Sequence, residues 1–222
     1  MFKGRFVDLS HKLLPGKEEY HLRLKSVNTA ERYNQYIVDE GFWYILQDME
    51  MSSHCGTHIE FPYHHNKNGL DAAAFGLDRL ITPCVLLDFR NKKPNEAVSL
   101  EDVQKYDDLI QTGDSVMLNF GVAMNYRTEN SHVRPYLSME AAEWLAGVKK
   151  INLIGSDASG IEIKGVPNQP IHQFLMEREI PIIEFANNLN ALTKSRFMLF
   201  VLALAVEGLD SCPVRLVACE VE

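Results

Sequence analysis

A chain of 222 residues, 46% of them hydrophobic and 23% charged, is long enough to bury a substantial core and is expected to form one domain over residues 1–222. Its formal net charge of −8, with no Lys/Arg run, gives no long-range attraction for phosphate backbones, so nucleic acid is not an expected partner. The four cysteines, Cys55, Cys84, Cys212 and Cys219, form no CxxC pair and read as free thiols rather than a disulfide framework.

The opening residues Met1-Phe2-Lys3-Gly4-Arg5-Phe6-Val7-Asp8 lack the apolar core and small-residue cleavage site of a secretory leader, which makes the cytoplasm the expected compartment and a membrane an unexpected partner. Phe42, Trp43 and Tyr44 read as core packing, with an aromatic pocket wall as the alternative. The run from Ser52 to His65 then holds four of the eight histidines. His54, His58, Glu60 and His64 all occupy even positions, so an extended chain would aim them at one face and turn Ile59, Phe61 and Tyr63 to the other. Reach limits that picture. Residues two apart in a strand stand about 6.6 Å apart and four apart about 13 Å, so His54 and His58 cannot hold one ion from a straight strand. Gly56 between them permits a bend, and Pro62 stops the ladder. Imidazoles clustered with a carboxylate suit zinc, manganese or iron, and the lack of a matching cysteine set argues against a closed structural zinc site. Cys55, between two candidate ligands, is a minor further candidate.

Beyond the cluster, Pro83–Phe89, Ser115–Phe120, Ile151–Gly155 and Ile180–Glu184 are short apolar runs with turn-like flanks, as buried strands are. Between them Ser99 and Ser138 stand as N-caps, the second opening a helix that ends at Gly147. Strands alternating with helices predict a mixed α/β domain whose C-terminal segments return to the sheet. Asp157, within Gly155–Glu162, reads equally as a turn former and as a residue orienting a ligand imidazole. His172 falls at a predicted helix start and Glu184 at a strand end, where side chains can converge on a site. Phe197–Val206 is about half the ~20 residues a membrane helix needs and reads as a buried core element. His11, His21, His65 and His132 read as solvated or hydrogen-bonded histidines, with a pocket border as the alternative. No G-x-S-x-G elbow is present and Cys55 has no triad context, so a serine or cysteine nucleophile is given little weight.

The segment His54-Cys55-Gly56-Thr57-His58-Ile59-Glu60-Phe61-Pro62-Tyr63-His64 resembles the His-x-Gly-Thr-His-x-Asp-x-Pro-x-His pattern of the cyclase family of metal-dependent hydrolases, which includes kynurenine formamidase and isatin hydrolase. Val7–His11, Leu14–Gly16, Leu77–Leu80, Tyr136–Ser138 and Cys212–Arg215 extend the resemblance along most of the chain. It implies an α/β fold, a swivelling β/β/α domain with a mixed central sheet, and a homodimer or homotetramer. It also implies one or two divalent metal ions, zinc or manganese, held by His54, His58, Glu60, His172 and Glu184. Hydrolysis of a C–N bond in a small amide, an N-formyl arylamine or a cyclic amide would follow, through a metal-activated water with His64 as acid/base. The alternatives are action on lactones or esters, or a metal- or ligand-binding member without hydrolytic activity. Two departures from the pattern bear on this. Glu60 stands where the family usually has Asp, which affects the metal count, and Leu14 stands where kynurenine formamidases tend to carry an aromatic residue, which weakens N-formylkynurenine as the substrate.

Overall fold

The computed structural model describes residues 4–27 and 45–221; the aromatic run Phe42, Trp43 and Tyr44 lies outside the described residues. The chain enters through β1 (Gly4–Asp8), the antiparallel pair β2 (Leu22–Val27) and β3 (Leu46–Met51), and β4 (His58–Glu60). Helix α1 (Leu77–Leu80) leads into β5 (Ile81–Asp88) and β6 (Ala97–Val98), and α2 (Leu100–Gln104) into β7 (Ser115–Asn119) and β8 (Tyr136–Leu137). Helix α3 (Met139–Gly147) precedes β9 (Ile154–Ser156), and α4 (Pro170–Met176) precedes β10 (Ile182–Glu184). β11 (Arg196–Leu202), β12 (Ser211–Pro213) and β13 (Arg215–Val221) complete the order.

Nine of these strands form one sheet in the order β1-β13-β11-β5-β7-β9-β10-β4-β12. Its centre, β5-β7-β9-β10, is parallel and its flanks are antiparallel, so the mixed α/β class expected from the sequence is the one observed. Every residue of β7 is buried, as a parallel strand covered on both faces requires. Val116 and Leu118 face one core with Leu145 and Leu175 of the helices. Met117, between them, faces a second core with Ile59, Phe61, Ile183 and Leu199. Both helix starts carry the expected caps. Ser99 and Asp102 form a reciprocal capping box, and Ser138 Oγ accepts from Ala141 N–H at 3.2 Å; each cap satisfies donors the helix cannot.

Two expectations need correction. The Phe197–Val206 run is buried only in its first half: β11 alternates inside and outside through Leu202, and Leu204 is 63% exposed. The even-position face of residues 52–65 holds only for His58 and Glu60, because the strand is three residues long and Pro62 opens a 3-10 turn, Pro62–His64. Proline lacks the N–H that would continue the ladder, so His64 reaches the site from a turn, and Tyr63 is 40% exposed rather than an anchor. No helix among the described residues is long and apolar enough to cross a membrane.

Candidate metal centre

β4 lies between β10 and β12, and that register builds the site. His58 is the cross-strand partner of Glu184 on one side and of Pro213 on the other, while Glu60 pairs with Ile182 and Ser211. Residues directly opposite across an antiparallel pair keep their side chains in reach. Before β4 the chain turns at Gly56, whose φ is +70, a conformation that only glycine adopts without cost. The turn folds His54 back until its Nδ1 is 3.3 Å from His58 Nε2 and 3.2 Å from Glu60 Oε1. His58 Nδ1 lies 2.8 Å from the Gly56 carbonyl; a carbonyl only accepts, so the proton sits on Nδ1 and Nε2 presents its lone pair to the site.

On the same face of the sheet, α4 brings in His172. Glu162 accepts from His172 Nδ1, and also from the Ile171 N–H at 2.8 Å and the His172 N–H at 3.2 Å. This carboxylate therefore fixes an imidazole and supplies the cap that Gln169, the residue before α4, does not. Glu60 and Glu184 then form two sides of a box between the histidines. Glu60 Oε1 is 3.8 Å from His58 Nε2 and its Oε2 is 3.6 Å from His172 Nε2. Glu184 repeats the arrangement, with Oε2 3.7 Å from His58 Nε2 and Oε1 3.6 Å from His172 Nε2. Phe185, directly after Glu184, holds φ at +53, an uncommon conformation for a bulky residue and one concentrated at functional sites. Hydrogen bonds to Ala158 O and from Thr57 Oγ1 hold it there.

All five sequence-proposed ligands thus converge, with Glu60 shared between the groups His54–His58–Glu60 and Glu60–His172–Glu184. Glu60 is buried, and its Oε2 has no hydrogen-bond partner, a costly state for a carboxylate oxygen. Burial works to raise the Glu60 pKa, but the neighbouring His54, His58 and His172 hold it well below the usual carboxylate range. In return, and against burial, Glu60 and Asp210 raise His54 to about 9, while Glu162, Glu184 and Glu60 raise His172 to about 10. The centre attracts positive charge. Imidazole nitrogens and carboxylate oxygens facing one another, one oxygen orphaned, fit a divalent metal ion.

His64 stands beside this box with Nε2 3.7 Å from Glu60 Oε1 and Nδ1 2.9 Å from Asp210 Oδ2. The same Asp210 oxygen lies 3.1 Å from His54 Nε2. Asp210 and Glu162 are the two residues the sequence reading did not assign. Asp210 is carried in by the β12–β4 register, its carbonyl accepting from Phe61 N–H at 2.8 Å. A second acidic residue close to the resemblance segment Cys212–Arg215 was the available signal. Of the two readings of Asp157 the turn-forming one is observed: it accepts from the N–H groups of Phe120, Val122 and Ala123 and orients a loop, not an imidazole. Cys55 is buried and joins none of the metal-capable groups among the described residues. A cavity of about 340 Å³ opens onto the box, walled in part by Tyr20, His132, Arg134 and Gln169. Tyr20, 6.0 Å ring to ring from His54, supplies an aromatic that Leu14 does not. His65 packs near His172 and meets Gln169, and His132 meets Ser159 and Glu19. His21 sits by Glu50 on the exposed β2–β3 pair, and His11 stacks on Tyr126.

Fold and site together define an α/β protein with a histidine–carboxylate centre set between the antiparallel flank of its sheet and a helix N-terminus. The chain belongs to the Cyclase family: residues 7–163 match the family model described as "Putative cyclase", which takes in His54 to His64 but stops short of His172 and Glu184. It is similar to the kynurenine formamidase of Erythrobacter litoralis, 28% identical over 174 residues, 78% of this chain and 76% of that protein. Isatin hydrolase A from Labrenzia aggregata shares the fold at a TM-score of 0.82 and 19% identity, over 99% of this chain and 94% of that one. A protein from Bacillus stearothermophilus described as a predicted metal-dependent hydrolase superposes at a TM-score of 0.71 with 25% identity, over 98% of both chains.

Proposed function

We propose that this chain is a metal-dependent hydrolase that cleaves the C–N bond of a small amide, an N-formyl arylamine or a cyclic amide. The observation that carries this reading is the box in which Glu60 and Glu184 each offer one oxygen toward His58 and the other toward His172, with His64 alongside. The likeness to a kynurenine formamidase and the shared fold with an isatin hydrolase support an amide-type substrate.

His54, His58, Glu60, His172 and Glu184 would hold one or two divalent ions, zinc or manganese. Such an ion polarises a substrate carbonyl and acidifies a water molecule. The protein does the rest. Glu162 keeps the proton of His172 on Nδ1, away from the box, and the Gly56 carbonyl does the same for His58. Asp210 accepts from His64 Nδ1–H and so leaves His64 Nε2 turned toward Glu60. From that position His64 takes a proton at Nε2 and returns it to the departing nitrogen, the two halves of acid/base work suited to an imidazole. A homodimer or homotetramer, implied by the family resemblance, belongs to the same proposal and is readable by sedimentation.

The test is metal analysis of the purified protein, followed by a spectrophotometric screen of N-formyl arylamines, isatin and simple lactones with added zinc or manganese. Metal content with turnover of an amide or lactam is expected. Metal without turnover across the panel would instead make the chain a binding member of the family, and turnover confined to lactones would move the substrate class to esters.

A further inference from the structure

Arg134, just ahead of β8, is a buried cation next to an acidic centre that does not pair with it. It is only 7% exposed. Its Nε donates to the Gly160 carbonyl at 3.0 Å and its Nη1 to the His132 carbonyl at 3.2 Å. Both partners are neutral. Among the described residues no carboxylate oxygen lies within 4.0 Å of the guanidinium, and Nη2 donates to no protein acceptor. A charge taken out of water without a counter-charge in contact keeps much of its desolvation cost, so this is not how a structural salt bridge is built. The two neighbouring carboxylates are already engaged, Glu162 with His172 and the α4 amides, Glu184 between His58 and His172.

Gly160 shows where the unused donor sits. With φ at +118, it is a position where a side chain would be strained, and a Cβ built there would stand 2.8 Å from Arg134 Nη2 and 3.0 Å from Glu184 Oε1. The missing side chain lets the guanidinium reach the same point as an oxygen of the metal box. Arg134 and Glu184 both line the 340 Å³ cavity, with Lys164 adding a second cation to its wall. Three carboxylates, Glu60, Glu162 and Glu184, share that wall but face the histidines, which leaves Arg134 as the buried cation with an unused donor.

We propose that Arg134 is an anion subsite of this centre, binding a carboxylate that the substrate carries close to its scissile C–N bond. The substrates are then carboxylate-bearing amides, and an N-formyl arylamine with an ortho carboxylate is the simplest that places both groups within one cavity. The guanidinium is suited to this task because it stays charged and its Nη2 can donate to a carboxylate while Nε and Nη1 keep their carbonyls. The inference deepens the hydrolase reading above and rests on it.

The experiment is a two-by-two comparison that holds metal contact constant. Anthranilate and its neutral counterpart 2-aminobenzamide are titrated by fluorescence into zinc-loaded wild type and Arg134→Met, whose zinc content and melting are checked first. Wild type is expected to favour anthranilate by roughly 10- to 100-fold, the worth of a charge-assisted hydrogen bond, and Arg134→Met to lose that preference while Arg134→Lys keeps part of it. An equal preference in wild type and Arg134→Met overturns the proposal, since zinc alone would then account for carboxylate binding. If Arg134→Met does not fold, Arg134→Gln, which keeps donors for the two carbonyls, gives the same comparison. Turnover of N-formylanthranilate against its carboxamide separates the two readings. No turnover of either, with the Arg134-dependent preference intact, defeats amide hydrolysis and supports the subsite; equal turnover of both defeats the subsite and supports hydrolysis.

Discussion

Replacing Glu162 with Gln should weaken metal binding more than it weakens the fold, and the geometry says by how much. The wild-type carboxylate serves three donors, His172 Nδ1 and the N–H groups of Ile171 and His172. Glutamine offers one acceptor oxygen in the same volume, and its NH2 would face a donor on the other side. Loss of a carboxylate behind a ligand imidazole typically costs 10- to 100-fold in metal affinity, about 1.4 to 2.7 kcal/mol. The helix loses an anion at its N-terminus and part of its cap, worth about 1 kcal/mol. Charge also acts the other way: Glu162 is the largest influence raising His172 to about 10 against burial, so at neutral pH an incoming ion displaces a proton there. Wild-type affinity should therefore rise between pH 7 and 8.5, and the gap to Glu162→Gln, whose His172 is less basic, should widen over the same interval. Competition for zinc with a chromogenic chelator at both pH values measures it, with urea melts in EDTA reporting the fold. Zinc affinity within twofold of wild type at both pH values, in a variant that melts normally, would refute the idea that this hydrogen bond holds His172.

His64→Ala is expected to keep its metal and lose roughly 10²- to 10⁴-fold in kcat, the usual share of a positioned acid/base; turnover near wild type would remove His64 from that role. Gly56→Ala forces a side chain into φ +70 and sets its Cβ 2.2 Å from Leu13 Cδ2, so it should cost about 1–2 kcal/mol in stability and loosen zinc as His54 swings away, both read on one sample by melting and chelator competition. Far from the centre, Glu220 accepts from Thr193 N–H and Oγ1–H, Lys194 N–H and Arg5. Burial works to raise its pKa, but these donors lower it to about 2 from the ordinary 4.5. A depressed carboxylate stabilises above its unfolded pKa and loses that contribution as pH falls through the folded one. Wild type should thus shed stability between about pH 4.5 and pH 2, and Glu220→Gln, less stable at pH 7, should show a flatter acid limb in urea melts; parallel limbs would count against it.

What the sequence made legible is local. Ser99 and Ser138 announce their helices because a cap acts within four residues, and Gly56 announces the bend because the histidines on either side cannot otherwise meet. Alternation holds only as far as Pro62, whose missing N–H ends the strand as the sequence indicates; Tyr63 beyond it is 40% exposed and leaves the apolar face to Ile59 and Phe61. The rest was out of reach for a different reason. That His58 faces Glu184 depends on β4 pairing with β10, and that Asp210 meets His54 and His64 depends on β4 pairing with β12. Neither register leaves a trace in the residues between. Asp157 and Glu162 show the limit well, since both are acidic, buried and five positions apart, yet one holds a loop of backbone amides and the other a ligand-type imidazole.

Glu60 is where the two scales meet. In the sequence its extra methylene was a departure that bore on metal count. In the fold it occupies the last position of a three-residue strand, between a histidine folded back by Gly56 and one delivered by a helix packed on the same face of the sheet. Its two oxygens face different histidines, Oε1 toward His54, His58 and His64, and Oε2 toward His172. A carboxylate in that position belongs to two of the three metal-capable groups among the described residues, so occupancy of either of these two bears directly on the other through one side chain. The longer arm therefore leaves the two-group arrangement in place and makes Glu60 the element through which the local motif and the distant ligands become one site.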